Sequence, residues 1–213
     1  SNGSGPIVSS CLLIGNNYAI LSEADAIDGN FYDNIYSSNN KDFIMISSGT
    51  IGNKDYDITR TWKKDGAPYL LTKDLTIAAN GSGTDKTATL IIESGATLTF
   101  KKDVDLFVGT STKDDKGAIQ ATGVTFKAFN VVDGWGGIDF LPYTDDSNTL
   151  LDSCTIQDAA QAIYCNDSSP TIKNSTITLN TDGIITNSSS SPTLVNNIFS
   201  KNIPEGMPDS NEV

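Results

Sequence analysis

Histidine is absent from this 213-residue chain, and Arg60 is its single arginine. Without imidazole there is no Ser-His-Asp or Cys-His nucleophile system, no histidine general base and no His-ligated zinc. One arginine leaves no set of guanidinium clamps for phosphates or carboxylates. Cysteine is scarce and odd in number: Cys11, Cys154 and Cys165 show no CxxC spacing, so neither a zinc site nor a disulfide framework is indicated. No apolar run is long enough to span a membrane. Basic residues are outnumbered, 14 Lys plus Arg against 26 Asp plus Glu, and the net charge of −12 repels phosphate backbones and anionic lipid headgroups. Neither nucleic acid nor membrane insertion is expected. Residues 1–6 read as a Gly/Ser linker, not a signal peptide. Val8-Ser9-Ser10-Cys11 has a likeness to a lipoprotein processing site, but the apolar stretch that should precede it is missing, so Cys11 is read as a structural cysteine.

What the chain does contain is a repeat. Leu151-Asp152-Ser153-Cys154-Thr155-Ile156 matches Ile172-Lys173-Asn174-Ser175-Thr176-Ile177 at an offset of 21 residues, and that matches Leu194-Val195-Asn196-Asn197-Ile198-Phe199 at a further 22. Ser168-Ser169-Pro170-Thr171 recurs as Ser190-Ser191-Pro192-Thr193, and Ala162-Ile163-Tyr164 aligns with Gly183-Ile184-Ile185. Short β-branched strands punctuated by Asn, Gly, Ser and Pro at this period describe one turn of a three-stranded β-solenoid. Asn174 and Asn196 share a column at a sharp turn, where Asn tolerates left-handed backbone and its amide can bond the next coil. Asn180 and Asn202 form a second column. Both are read as structural ladders.

The same pattern runs upstream. Residues 89–100, 106–109 and 117–126 alternate inward apolar with outward polar side chains, and Phe126 falls in the column of Ile156, Ile177 and Phe199. The expected fold is an all-β right-handed parallel β-helix of about six coils over residues 61–202, each coil advancing by about 4.8 Å. Residues 81–86, 110–116, 130–134 and 142–148 are expected as loops. Residues 1–60 are read as a linker and capping segment that shields the open solenoid end, with strands at 43–46 and 50–51 and a short helix starting near 22–26. Residues 203–213 are a tail.

Thr61-Trp62-Lys63-Lys64-Asp65-Gly66-Ala67-Pro68-Tyr69-Leu70-Leu71, Leu98-Thr99-Phe100, Ala121-Thr122-Gly123-Val124-Thr125-Phe126 and Gly134-Trp135-Gly136-Gly137-Ile138-Asp139-Phe140 resemble the opening coils of bacterial right-handed β-helix surface proteins. The closing coils resemble the parallel β-helix repeats of the pectin-lyase-like superfamily. The resemblance covers residues 57–202 and implies a fold more than an activity. It implies two functional classes: an extracellular or cell-surface scaffold or adhesion module, and a polysaccharide lyase or glycoside hydrolase. The superfamily's catalytic patterns are not matched. Asn180-Thr181-Asp182 stands without a histidine or an aligned aspartate pair in a neighbouring coil, and Asp182 precedes Gly183 as a turn would require. No catalytic residue is assigned, and the leading expectation is a non-catalytic module whose partner is a polysaccharide or another cell-surface component.

Sugar-binding faces combine exposed aromatic rings with polar groups. With Ile138 and Ile163 inward, alternation places Asp139 and Tyr164 outward on one face, flanked by Trp135 and Tyr143; these four are the candidate ligand-binding residues. Trp135 packed over the coil is the competing structural reading. Calcium is a weak alternative at Asp25, Asp28, Asn30 and Asp33, whose spacing lacks the EF-hand pattern, and weaker still at Asp145 and Asp146 or Asp114 and Asp115. No metal ligand is assigned. Finally, Cys165 is expected in the core and Cys154 at a turn, too far apart for a disulfide.

Overall fold

The computed structural model describes residues 5–47, 49–52, 56–79, 86–111 and 115–203. The chain coils into a right-handed parallel β-helix of about seven turns. Sheet A contains Thr50–Gly52, Leu75–Ala78, Asp105–Val108, Trp135–Phe140, Ala159–Cys165 and Asp182–Thr186. Sheet B contains Ile58–Trp62, Lys86–Ile92, Asp115–Thr122, Leu150–Asp152, Thr171–Lys173 and Thr193–Val195. Sheet C has eight strands, from Ile20–Ser22 and Ile44–Ile46 through Tyr69–Leu71, Thr97–Phe100, Thr125–Ala128, Thr155–Gln157 and Thr176–Thr178 to Ile198–Ser200. Every pairing among them is parallel, and the chain visits A, B and C in turn. This is how a period near 22 residues buries its apolar positions, because each coil is covered by the next.

The columns read from the repeat are in register. Leu151, Ile172 and Leu194 are successive partners in sheet B, and Phe126, Ile156, Ile177 and Phe199 in sheet C. Larger rings fill the wider interior: Trp62 stacks on Tyr69 with centroids 4.8 Å apart, and Trp135 on Phe100 at 4.1 Å. Cys154 and Cys165 are buried and free, and Cys11 is exposed and free.

Between sheets B and C the turn is sharp, and Ser153, Asn174 and Asn196 all adopt positive φ. Their side chains form a surface ladder. Asn174 Nδ2 donates to the Asp152 carboxylate at 2.9 Å, and Asn196 Nδ2 donates to Asn174 Oδ1 at 3.5 Å. A second set of ties, buried at Asn180 and part-buried at Asn197 and Asn202, lies one residue further on and at the next turn. Asn197 Oδ1 accepts Ser175 N–H while its Nδ2 donates to Ile172 O; Asn180 does the same to Ala159 and Ile156, and Asn202 to Asn180 and Ile177. Each such amide satisfies two backbone groups of the preceding coil that no ladder serves.

The coil organisation reaches further back than residue 61. The expected boundary falls inside the strand Ile58–Trp62, and strands from Ile20 onward pair in register with the later coils. Before them, Val8–Ser9 pairs with Phe31–Tyr32 and Leu12–Ile14 with Ile35–Ser37, both parallel. The same asparagine tie recurs there: Asn34 Oδ1 accepts Cys11 N–H and Nδ2 donates to Val8 O, and Asn39 serves Asn16 and Leu13 likewise. The short helix near residue 22 is a single 3-10 turn, Ala24–Ala26. Of the expected loops, 130–134 and 142–148 are turns, the second containing the 3-10 turn Asp146–Asn148. Lys86, Asp115 and Lys116 are strand residues instead, because they extend sheet B pairing. Residues 81–85, 112–114 and the tail from 204 lie outside the described residues.

Candidate functional site

The outer surface of sheet A carries one continuous row of side chains. Thr50, Thr76, Phe107, Asp139, Tyr164 and Ile185 are successive register partners, one from each coil. Phe107, Asp139 and Tyr164 are half-buried. Asp139 and Tyr164, both expected from strand alternation, are therefore direct cross-strand partners.

Asp105, two residues before Phe107 and separated from it by inward Leu106, adds a second carboxyl. A Cβ at Gly136 would fall on the Asp105 carboxylate, so glycine there leaves this side chain room to lie over the neighbouring strand. Burial pushes the Asp105 carboxyl up to about 6, with Asp74 and Asp103 adding repulsion. Burial likewise raises Asp139 to about 6, with the charge of Asp105 adding to it. The face thus offers two carboxyl groups held above the usual carboxylate range, Asp139 between Phe107 and Tyr164 and Asp105 in register with Gly137 beside them. Asp105 and Phe107 were legible: with Leu106 and Val108 inward, both must point out.

Trp135 is not on this face. It is 1% exposed, stacks on Phe100 and donates from Nε1 to Gln157 O at 2.8 Å, so it belongs to the core. The cause is local. Gly137, at φ +154°, sits where the register with Ala159–Cys165 shifts, and a Cβ there would strike Gln161 O. That irregularity inverts the alternation, which turns Trp135 inward while Asp139 stays outward. Tyr143 is half-buried in the turn after Phe140, its backbone bonded to Thr110 O and Gly117 N–H.

Asp25, Asp28 and Asp145, among the acidic groups considered for calcium, are engaged elsewhere, whereas Asp146 Oδ1 is buried without a hydrogen-bond partner among the described residues. Arg60, 5% exposed, donates from Nε to Asp25 O at 2.6 Å and pairs with the Asp25 and Asp28 carboxylates at 3.2 and 3.7 Å. Asn30 ties Asp28 N–H, Pro6 O and Ala26 O. Asp145 accepts Ser147 and Asn148. Asp114 lies outside the described residues. Among the described residues no group of three or more Asp, Glu or Cys side chains is arranged to hold a metal ion. A recess of about 550 Å³ opens beside the turn at 130–134, between Val131, Val132 and Leu179, with the backbone around Trp135 in its wall.

Parallel sheets, a 21-to-22-residue period and asparagine ties define a right-handed β-helix protein. Consistent with this, residues 114–210 match the family described as right handed beta helix region. Neither the curated proteins nor the solved structures yield a match to this chain.

Proposed function

We propose that this chain is a non-catalytic extracellular or cell-surface β-helix module that holds a polysaccharide against the outer face of sheet A. The observation that carries the reading is the in-register row Phe107–Asp139–Tyr164, which presents aromatic, carboxyl and aromatic groups from three successive coils. Strand spacing of about 4.8 Å sets one contact per coil, suited to an extended polymer of sugar rings. The resemblance to bacterial surface β-helix proteins favours the extracellular placement. Against catalysis stands the chain's only arginine, buried in its ion pairs with Asp25 and Asp28.

Screening on a glycan array with the wild type, Asp139→Ala and Tyr164→Ala tests the sugar clause. Binding lost in both variants supports it, and the absence of binding to any glycan removes it.

The raised carboxyls of Asp105 and Asp139 favour a second reading, a glycoside hydrolase in which one protonated carboxyl acts as acid. Turnover of a plant or bacterial polysaccharide that disappears in both Asp105→Asn and Asp139→Asn would replace the binding-module reading with this one.

A further inference from the structure

Sheet C also has an outward row, Met45, Leu70, Thr99 and Lys127 in successive coils. It is not left open. Phe43, just before Ile44–Ile46, and Phe129, just after Thr125–Ala128, reach over it with ring centroids 5.7 Å apart. Under them Thr99 is 3% exposed, and its Oγ1 is buried without a hydrogen-bond partner. Thr99 lies between inward Leu98 and Phe100, so its side chain points to the outer surface. There it lines a recess of about 330 Å³ with Phe43, Pro68, Lys127, Phe129 and Gln157.

The lining is unusual for a purely structural cleft. A buried hydroxyl without a partner is costly and calls for an explanation. Among the described residues Lys127 has no carboxylate within ion-pair distance. Gln157 donates from Nε2 to Asp158 at 3.0 Å, which leaves its Oε1 as an acceptor. Asp158 completes the recess. One cation and one anion leave the lining neutral inside a chain of net charge −12, which disfavours an anionic ligand.

We propose that this recess is a second sugar site that takes one uncharged pyranose ring. The apolar face of the ring packs on Phe43 and Phe129, and its hydroxyls bond Thr99 Oγ1, the Lys127 ammonium and the Gln157 and Asp158 oxygens. A cavity of this size is at the small end for ligand sites and fits a single ring better than a chain. The site lies on a different sheet from Asp139 and Tyr164 and stands independently of what binds there.

The probes are glucose, galactose, mannose and N-acetylglucosamine, each as the free sugar and as a linked tetramer, followed by methyl and amide NMR of the full chain. The expected result is that at least one probe shifts the Thr99 and Lys127 signals, whether free sugars suffice or only tetramers bind. Thr99→Val keeps the shape and removes the hydroxyl, and should weaken that binding by about tenfold or more. Phe129→Ala should weaken it as well, while Asp139→Ala and Tyr164→Ala leave it unchanged. The proposal is overturned if no probe moves these signals. It is equally overturned if Thr99→Val binds as the wild type does, which would mean the hydroxyl is served by water alone.

Discussion

The middle coils and the last coil are built from the same columns of residues and end up in different environments. Ile156 and Ile177 are fully buried, whereas Phe199 in the same column is 43% exposed; Leu151 and Ile172 are buried, and Leu194 is 45% exposed. Residue type does not explain this, for Phe126, the same residue type in the same column, is fully buried. The difference is the neighbour. A middle coil is covered on both sides, while among the described residues no strand lies beyond Thr193–Val195 or Ile198–Ser200. Burial in a solenoid is therefore a property of adjacent pairs of coils, and stability sums over those interfaces.

The largest expected effect tests that statement directly. Phe126→Ala removes a ring buried between two coils and should cost about 3–5 kcal/mol, whereas Phe199→Ala should cost about 1 kcal/mol or less. Guanidinium denaturation of both variants decides it, and equal losses would break the comparison. Next come the asparagine ties. Asn180→Ala strands the Ala159 N–H and the Ile156 carbonyl in a buried turn, at about 2 kcal/mol, and Asn202→Ala at the outer coil should cost about half as much. Hydrogen exchange should show the Ala159 amide losing protection in the first variant only.

The smallest effect concerns pH. Asp105 and Asp139 have folded-state values near 6, above the ordinary 3.8. A carboxyl raised on folding contributes stability that is fully present below about pH 3.8 and lost as pH rises through about 6. The two together should cost about 1 kcal/mol or less across that window, because both are part-exposed and screened by solvent. Thermal melts from pH 4 to pH 7 should therefore show a decline that flattens in the Asp105→Asn, Asp139→Asn double variant. An unchanged slope would place the raised groups elsewhere.

How far the sequence could be read varied along the chain for physical reasons. In the closing coils, Pro, Ser and Asn mark every turn, so two independent columns pin the register. Residues 7–22 hid their coil because its apolar residues are largely exposed, Leu12, Ile14 and Leu21 among them, so hydrophobic period gives no signal there, although the core itself begins at Ala24. The signal was polar instead, since Asn16-Asn17 returns as Asn39-Asn40 at 23 residues and bonds across that interval. At the candidate site, Asp139 and Tyr164 followed from alternation. Trp135 did not, because parity counted backward from Ile138 fails at Gly137, where the backbone irregularity inverts it.

The placement of the three thiols supplies a built-in clock for this molecule. Burial raises the Cys154 thiol to about 11 and the Cys165 thiol to about 12, so neither offers appreciable thiolate at neutral pH, while Cys11 stands exposed near the N-terminal end. An alkylating reagent therefore meets one reactive site in the intact chain. Cys154 and Cys165 become available only when their coils separate, and their modification rates then time the opening of those coils without an introduced probe. A dye attached through Cys11 would mark the opposite end while that opening is watched.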